Sequence, residues 1–280
     1  MAAEPVTHPT SPAPWWTSAL DLVFPPRCVG CGRRGADVCD ACIAALRPLG
    51  SQVCPLCGGP SAAGSPCRRC RQHPPLARAI LAAYPFEGAI RSAILAFKYR
   101  GRTRLVDFLA SALTLPLQTR PLEVDAVVPV PLWPARLRER GFNQSNLLAS
   151  RLAQACDWPL RQDYLIRSRD TKRQTELSAP ERQGNVAGAF ACTPGADVAG
   201  LRILLVDDVC TTGATLNACA APLIAGGALG VWGLVVARDL PTGVVKAGWP
   251  MAPSTGAGGD KPPPLRAFFD GGAAHPGGAP

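Results

Sequence analysis

The sequence predicts an α/β fold: a parallel sheet covered on both faces, preceded by a small Cys-rich metal module. Three observations carry this. Apolar runs and helical patterns alternate from residue 79 to residue 238, as in strands joined by crossover helices. Eight of the 12 cysteines fall between residues 28 and 70 as four Cys-x-x-Cys pairs. The apolar run 201–206 leads into two adjacent Asp, a loop of hydroxyls and Gly, and the start of a helix.

Taken in order, residues 1–13 are rich in Pro, Thr and Ala, which predicts disorder. Residues 15–24 are apolar apart from Asp21 and suit a short helix packed on the next segment. The Cys-rich module spans 28–72, and His73-Pro74-Pro75 marks a linker. A strand comes next, over 79–84. Ile90, Ile94, Leu95 and Phe97 recur at near-helical spacing over 88–99, and a second helix fits 105–115. Residues 126–130 read as a buried strand and 145–155 as a helix. The stretch 161–190 is polar and charged and supports no assignment. Two more buried strands fit 201–206 and 231–236. A Pro within the helix after the first of these, Pro222, predicts a kink or an early end there. After Leu240 the Gly-, Pro- and Ala-rich composition predicts a disordered tail. The resulting division is a disordered start (1–13), a metal module (14–75), an α/β domain (76–240) and a tail (241–280).

Charge and cysteine usage narrow the setting. The formal net charge is +9, from 29 Lys and Arg against 20 Asp and Glu, which favours anionic partners. Cys-x-x-Cys pairs suit metal thiolates rather than disulfides, so a reducing, cytoplasmic location is expected. The N-terminus has no basic-then-apolar secretory pattern. Residues 214–237 lack charge and are long enough to span a bilayer, but Pro222, Gly226, Gly227, Gly230 and Gly233 break them into a buried helix, a turn and a strand. No membrane span is expected.

The four pairs are Cys28/Cys31, Cys39/Cys42, Cys54/Cys57 and Cys67/Cys70. Zn²⁺ takes four soft ligands in a tetrahedron, so two structural zinc ions use all eight thiolates. Zinc fits better than an iron–sulfur cluster. Gly32 and Gly58 let the tight turns close. Pairing in sequence order is simplest, and an interleaved arrangement also satisfies the spacing. Such a short module cannot fold without its metal. It serves either as a docking staple or as a nucleic-acid or partner-binding ribbon, helped by Arg33, Arg34, Arg68, Arg69 and Arg71.

The richest segment is Val206-Asp207-Asp208-Val209-Cys210-Thr211-Thr212-Gly213-Ala214-Thr215. Asp207 and Asp208 offer acceptors to two neighbouring sugar hydroxyls. Thr211, Thr212, Gly213, Ala214 and Thr215 place amides and hydroxyls at the positive end of a helix, where a phosphate binds. Acids for a ribose beside a nest for its phosphate make a sugar-phosphate site. Cys210, inside this loop, reads as a small filler.

Two basic segments accompany it. After the strand at 126–130, Trp133, Arg136, Arg138, Arg140, Gly141, Phe142, Asn143 and Gln144 suit a diphosphate, because Arg gives bidentate hydrogen bonds and Gly admits close approach. Residues 167–185 carry Arg169, Lys172, Arg173, Gln174, Thr175 and Arg182 and read either as a loop closing over a charged ligand or as ordinary surface. From Arg91 to Arg140 there are nine Lys/Arg against four Asp/Glu, interspersed with Tyr99, Trp133 and Phe142, a composition able to take a single strand by phosphate pairing and base stacking. The three histidines (His8, His73 and His275) sit in linkers or tails, and no Ser-His-Asp or Cys-His arrangement can be assembled from them. No catalytic residue stands out.

The loop 206–215 resembles the signature of type I phosphoribosyltransferases, which bind 5-phosphoribosyl 1-diphosphate (PRPP). The whole of residues 20–238 resembles the ComF/GntX family, on Phe24-Pro25-Pro26-Arg27-Cys28, the four Cys pairs, Phe97-Lys98-Tyr99-Arg100-Gly101, Val128-Pro129-Val130-Pro131, Arg140-Gly141-Phe142-Asn143-Gln144, Gln174-x-x-Leu177, Arg182-x-x-Asn185, Ala189-Phe190 and the acidic Thr-Gly loop. The resemblance implies a double zinc ribbon joined to a phosphoribosyltransferase-like domain, with PRPP and Mg²⁺ on Asp207, Asp208 and 211–215. Arg136, Arg140 and Gly141 are candidates for the diphosphate side. It further implies single-stranded DNA handling in natural competence, with a competence helicase-type protein as a candidate partner. The alternatives are a phosphoribosyltransferase acting on a small nitrogenous acceptor and a non-catalytic PRPP-sensing regulator.

Overall fold

The structure, a computed structural model, describes residues 25–50, 53–61, 64–169 and 188–240. The expectations for 1–13, the helix at 15–24, the closing loop with Lys172, Arg173, Gln174, Leu177, Arg182 and Asn185, and the tail after 240 lie outside the described residues.

The described residues of the Cys-rich module form two short helices, α1 (Asp40–Ala44) and α2 (Arg68–Gln72), each starting immediately after a Cys. The turns before them repeat one design. Gly32 donates to the Cys28 carbonyl at 2.8 Å and Gly58 to the Cys54 carbonyl at 2.9 Å. Both glycines have positive φ, +77° and +65°, which the tight turn requires.

The rest is built on a four-stranded, all-parallel sheet. Its strands are β1 (Ala79–Pro85), β2 (Ala126–Pro129), β5 (Arg202–Cys210) and β6 (Gly230–Arg238), in the order β1-β6-β5-β2. A separate antiparallel pair joins β3 (Leu165–Arg167) to β4 (Phe190–Cys192). Parallel strands are covered on both faces, so their sequences are almost continuously apolar. Ile203, Leu204, Leu205 and Val206 are all fully buried. Successive residues point to opposite faces, so Leu204 and Val206 join one core and Ile203 and Leu205 the other.

On the first face pack α3 (Gly88–Tyr99), α4 (Val106–Thr119) and α6 (Gln144–Cys156), contributing Ile90, Ile94, Phe97, Leu109, Leu113, Leu148 and Leu152. On the second face lie α7 (Ala214–Ala225) and the β3–β4 pair, with Leu216, Leu223, Leu165 and Phe190. A further helix, α5 (Pro134–Arg140), starts with Pro at N1 and ends on Gly141 at φ +81°.

Three points differ from the sequence reading. β5 runs through the acid pair to Cys210, because residues 207–210 stay hydrogen-bonded in register with β6. α7 does not end at Pro222 but continues to Ala225. Burial of Leu216, Cys219, Ala220 and Leu223 against the sheet outweighs the one missing hydrogen bond. The unassigned stretch supplies β3 and, at its last residue, the start of β4, both strands too short for composition to reveal. Among the described residues, no helix is long and apolar enough to cross a membrane.

The carboxyl ends of all four strands meet at one edge, where loops 130–133, 141–143 and 211–213 emerge. The edge of a parallel sheet is where ligands bind in such folds.

Candidate functional site

Strand geometry separates the two aspartates. Asp208 is only 2% exposed and turns toward α3, where its Oδ1 lies 2.8 Å from Lys98 Nζ. Its Oδ2 is buried and has no hydrogen-bond partner among the described residues. Asp207 lines a small concavity with Val209, Cys210, Thr211, Gly213, Ala214, Thr215 and Leu216. Its Oδ1 accepts from Ser145 Oγ at 2.8 Å and from the Asp208 amide at 2.9 Å. Burial and the neighbouring Asp208 charge push the Asp207 carboxyl up to about 6, although Lys98 and the Ser145 bond pull the other way. Burial disfavours the Lys98 charge, but Asp208 and Asp207 more than offset this and hold the ammonium above its ordinary range.

The loop after β5 enters α7 through Gly213 at φ +82°. The positive φ makes this a Gly position, and a Cβ there would also crowd Ile80 Cδ1 at 3.1 Å. Thr212 Oγ1 accepts from the Ala214 amide at 3.3 Å. The first turn of a helix leaves amides without intrahelical partners and carries a partial positive charge. A carboxylate able to accept from sugar hydroxyls therefore shares one concavity with an anion-binding helix start.

Of the residues singled out from sequence, Asp207, Thr211, Gly213, Ala214 and Thr215 meet in this concavity. Asp208 stands behind it. Arg136, Arg140 and Gly141 do not line it; they belong to α5 and its cap. The segment after that cap does reach the site: Asn143 caps α6, holds the Val130 carbonyl at 3.1 Å, and places Ser145 on Asp207. Arg140 donates to Gln144 Oε1, and its guanidinium lies 5.4 Å from the centre of the Tyr99 ring.

Three residues escaped the sequence reading in these roles. Lys98 enters the sequence reading only as one of nine Lys/Arg between Arg91 and Arg140 and within Phe97-Lys98-Tyr99-Arg100-Gly101. Ser145 looked like a helix start. Arg238 looked like the end of a strand, yet it is buried and donates to Cys210 Sγ. Burial pushes the Cys210 thiol up, against the lowering that a helix start alone would give.

The eight module cysteines form two tetrads in sequence order, Cys28/Cys31/Cys39/Cys42 and Cys54/Cys57/Cys67/Cys70, with all four sulfurs of each within 4.8 Å of one another. The Cys39 amide points to Cys28 Sγ at 3.4 Å and the Cys67 amide to Cys54 Sγ at 3.3 Å, bonds that favour thiolates. Four soft donors closed around one point, with no open position for substrate, fit structural zinc.

Comparison with known proteins agrees with this division. Residues 19–71 match the double zinc ribbon domain, and residues 139–241 match the phosphoribosyl transferase domain. The chain is 35% identical to the DNA utilization protein YhgH of Salmonella typhimurium, over 72% of this chain and 91% of that protein. It is 30% identical to the competence protein ComFC of Bacillus subtilis, over 68% and 79% respectively. Among solved structures, the glutamine PRPP amidotransferase of Bacillus subtilis aligns at 25% identity, with a TM-score of 0.31, over 46% of this chain and 25% of that one. Paired four-cysteine ribbons leading into an acid-and-Thr loop at the edge of a parallel sheet, and a 35% likeness covering 91% of a relative, place this chain in the ComF/GntX family of double zinc ribbon plus phosphoribosyltransferase-domain proteins.

Proposed function

We propose that this protein is a cytoplasmic PRPP-binding protein that handles single-stranded DNA, in the setting of natural competence. The observation that carries the first half is the shared concavity of Asp207 and the 211–215 loop at the start of α7. Asp207 accepts from a ribose hydroxyl, and the loop amides and hydroxyls take the 5-phosphate. Asp207 and the unpartnered Oδ2 of Asp208 are hard oxygen donors of the kind Mg²⁺ takes, and Mg²⁺ would neutralise diphosphate charge. Arg136, Arg140 and Gly141 are candidates for the diphosphate side.

The second half draws on the surface beside this site. Tyr99 is 66% exposed at the end of α3, with Arg140 over its ring and Arg100 and Arg138 exposed nearby in sequence. An exposed ring among cations offers a base a stacking surface and its phosphates a partner. The names of two relatives, a DNA utilization protein and a competence protein, point the same way. A competence helicase-type protein is a candidate partner.

A second reading is transfer of phosphoribose to a small nitrogenous acceptor, favoured by the phosphoribosyl transferase domain match. On that reading Asp207, which lines the concavity with its carboxyl pushed up to about 6, is the side chain placed to take a proton from the acceptor.

Thermal unfolding with PRPP and Mg²⁺ tests the core of the proposal. A ligand specific for the native state at about 100 times its Kd adds about 2.7 kcal/mol, a rise of several degrees. Ribose 5-phosphate should give a smaller rise. Absence of any rise contradicts PRPP binding.

A further inference from the structure

The second Cys tetrad is built against the ligand loop. The Ile80 amide donates to the Leu56 carbonyl at 2.9 Å, between Cys54 and Cys57. A Cβ on Gly58 would meet the Ile80 carbonyl oxygen at 2.8 Å, and the other end of the same residue, Cδ1, lies against Gly213. Ile80 thus separates the metal turn from the loop by the length of one side chain. The linker after the ribbon is tied in as well, since the Leu76 amide donates to Asn217 Oδ1 in the first turn of α7, at 3.1 Å.

Arg238 makes the same connection through charge. It is 5% exposed, and among the described residues no carboxylate pairs with it. Nη1 donates to Cys210 Sγ, at the root of the loop. A Cβ on Gly59 would sit 3.5 Å from Arg238 Nη2 and 3.3 Å from Cys57 Sγ, so the guanidinium lies beside the ligating sulfur. A buried cation needs a counter-charge. Four thiolates around one Zn²⁺ carry a net charge of about −2, whereas four thiols carry none.

We propose that Arg238 is a positioning residue that transmits the state of the second four-cysteine site to the 211–215 loop. The loaded site supplies the counter-charge that keeps Arg238 in place, and Arg238 holds Cys210 while Ile80 fills the space under Gly213. Among the described residues the first tetrad packs instead on the start of α3, where a Cβ on Gly30 would meet Cys42 Sγ and Ala89 Cβ, so its metal should not control the loop. This inference needs no assumption about what the loop binds, so it stands or falls separately from the PRPP reading.

Hydrogen exchange on the full-length, zinc-loaded chain tests it. Cys70→Ser, which opens the second tetrad, should speed exchange of amides 211–215 by about tenfold, while Cys31→Ser should change them less than about twofold. Arg238→Gln, with two zinc ions per chain confirmed by atomic emission, should loosen the loop as Cys70→Ser does, and Arg238→Lys should restore part of the protection. Should Arg238→Gln fail to fold, Cys210→Ala serves: in that background Cys70→Ser should have at most about a third of its effect on the loop. A loop unchanged by Cys70→Ser while amides 54–70 exchange quickly overturns the proposal. So does an equal response to Cys31→Ser, or an undiminished response in Cys210→Ala.

Discussion

Lys98 Nζ lies 2.8 Å from Asp208 Oδ1, an ion pair directly behind the neighbouring Asp207. Asp208 is buried against a cation from α3, while Asp207 lines the concavity at the head of α7. Removing one partner of a buried pair leaves the other charge uncompensated, at a cost of about 3–5 kcal/mol. Lys98→Met should therefore lower the urea midpoint strongly. Lys98→Met with Asp208→Leu should recover much of the loss. Equal destabilisation by the single and double variants contradicts a buried pair.

Asp207 should make stability depend on pH in a defined direction. Its carboxyl is raised from an ordinary value near 4 to about 6, so the folded state holds the proton more tightly than the unfolded state. Its contribution favours folding below about pH 4 and is lost as pH rises through about 6. Asp207→Asn should therefore stabilise the ligand-free protein by about 3 kcal/mol at pH 7.5 and by much less at pH 4.5. Denaturant midpoints across that range measure this. A variant less stable at pH 7.5 would show that Asp207 is ionised without strain.

Zinc should be inseparable from the fold of the ribbon. Two closed tetrads predict two zinc ions per chain by atomic emission, and Cys31→Ser should leave one. Chelation should unfold the module, since binding a structural zinc is its folding free energy. Retention of both ions in Cys31→Ser would contradict the tetrad in sequence order.

Tyr99 should carry base stacking. Tyr99→Ala should cost about 1–3 kcal/mol in affinity for a labelled single-stranded oligonucleotide at low salt. Arg138→Gln should instead weaken binding uniformly across sequences and reduce the salt slope by about one. Unchanged affinity in a folded Tyr99→Ala places the strand elsewhere.

Much of this was legible in the sequence because it is local. A Cys-x-x-Cys turn with a following Gly is decided within five residues, and Gly32 and Gly58 adopt the positive φ that such a turn demands. The apolar runs at 201–206 and 231–236 identify fully buried parallel strands whatever surrounds them. What was not legible depends on partners distant in sequence. That Asp207 and Asp208 continue β5, one meeting Ser145 of α6 and the other Lys98 of α3, depends on pairing with β6 that no local pattern announces. Lys98 acquires its role from a residue 110 positions away, and Ser145 from one 62 positions away. Arg238 needs two elements, the Cys57 turn and the root of the loop, before its burial makes sense. Pro222 signals a kink or an early end, and the burial of Leu223 and its neighbours carries the helix past it to Ala225.

The most direct test of the central claim is calorimetric titration of PRPP, with Mg²⁺, into the zinc-loaded protein and into Asp207→Ala. Saturable one-site binding to the wild type, lost or weakened at least about a hundredfold in a folded variant, is the expected result. Wild-type affinity in the folded variant, or no binding to the wild type itself, would contradict a sugar-phosphate site at Asp207 and the 211–215 loop.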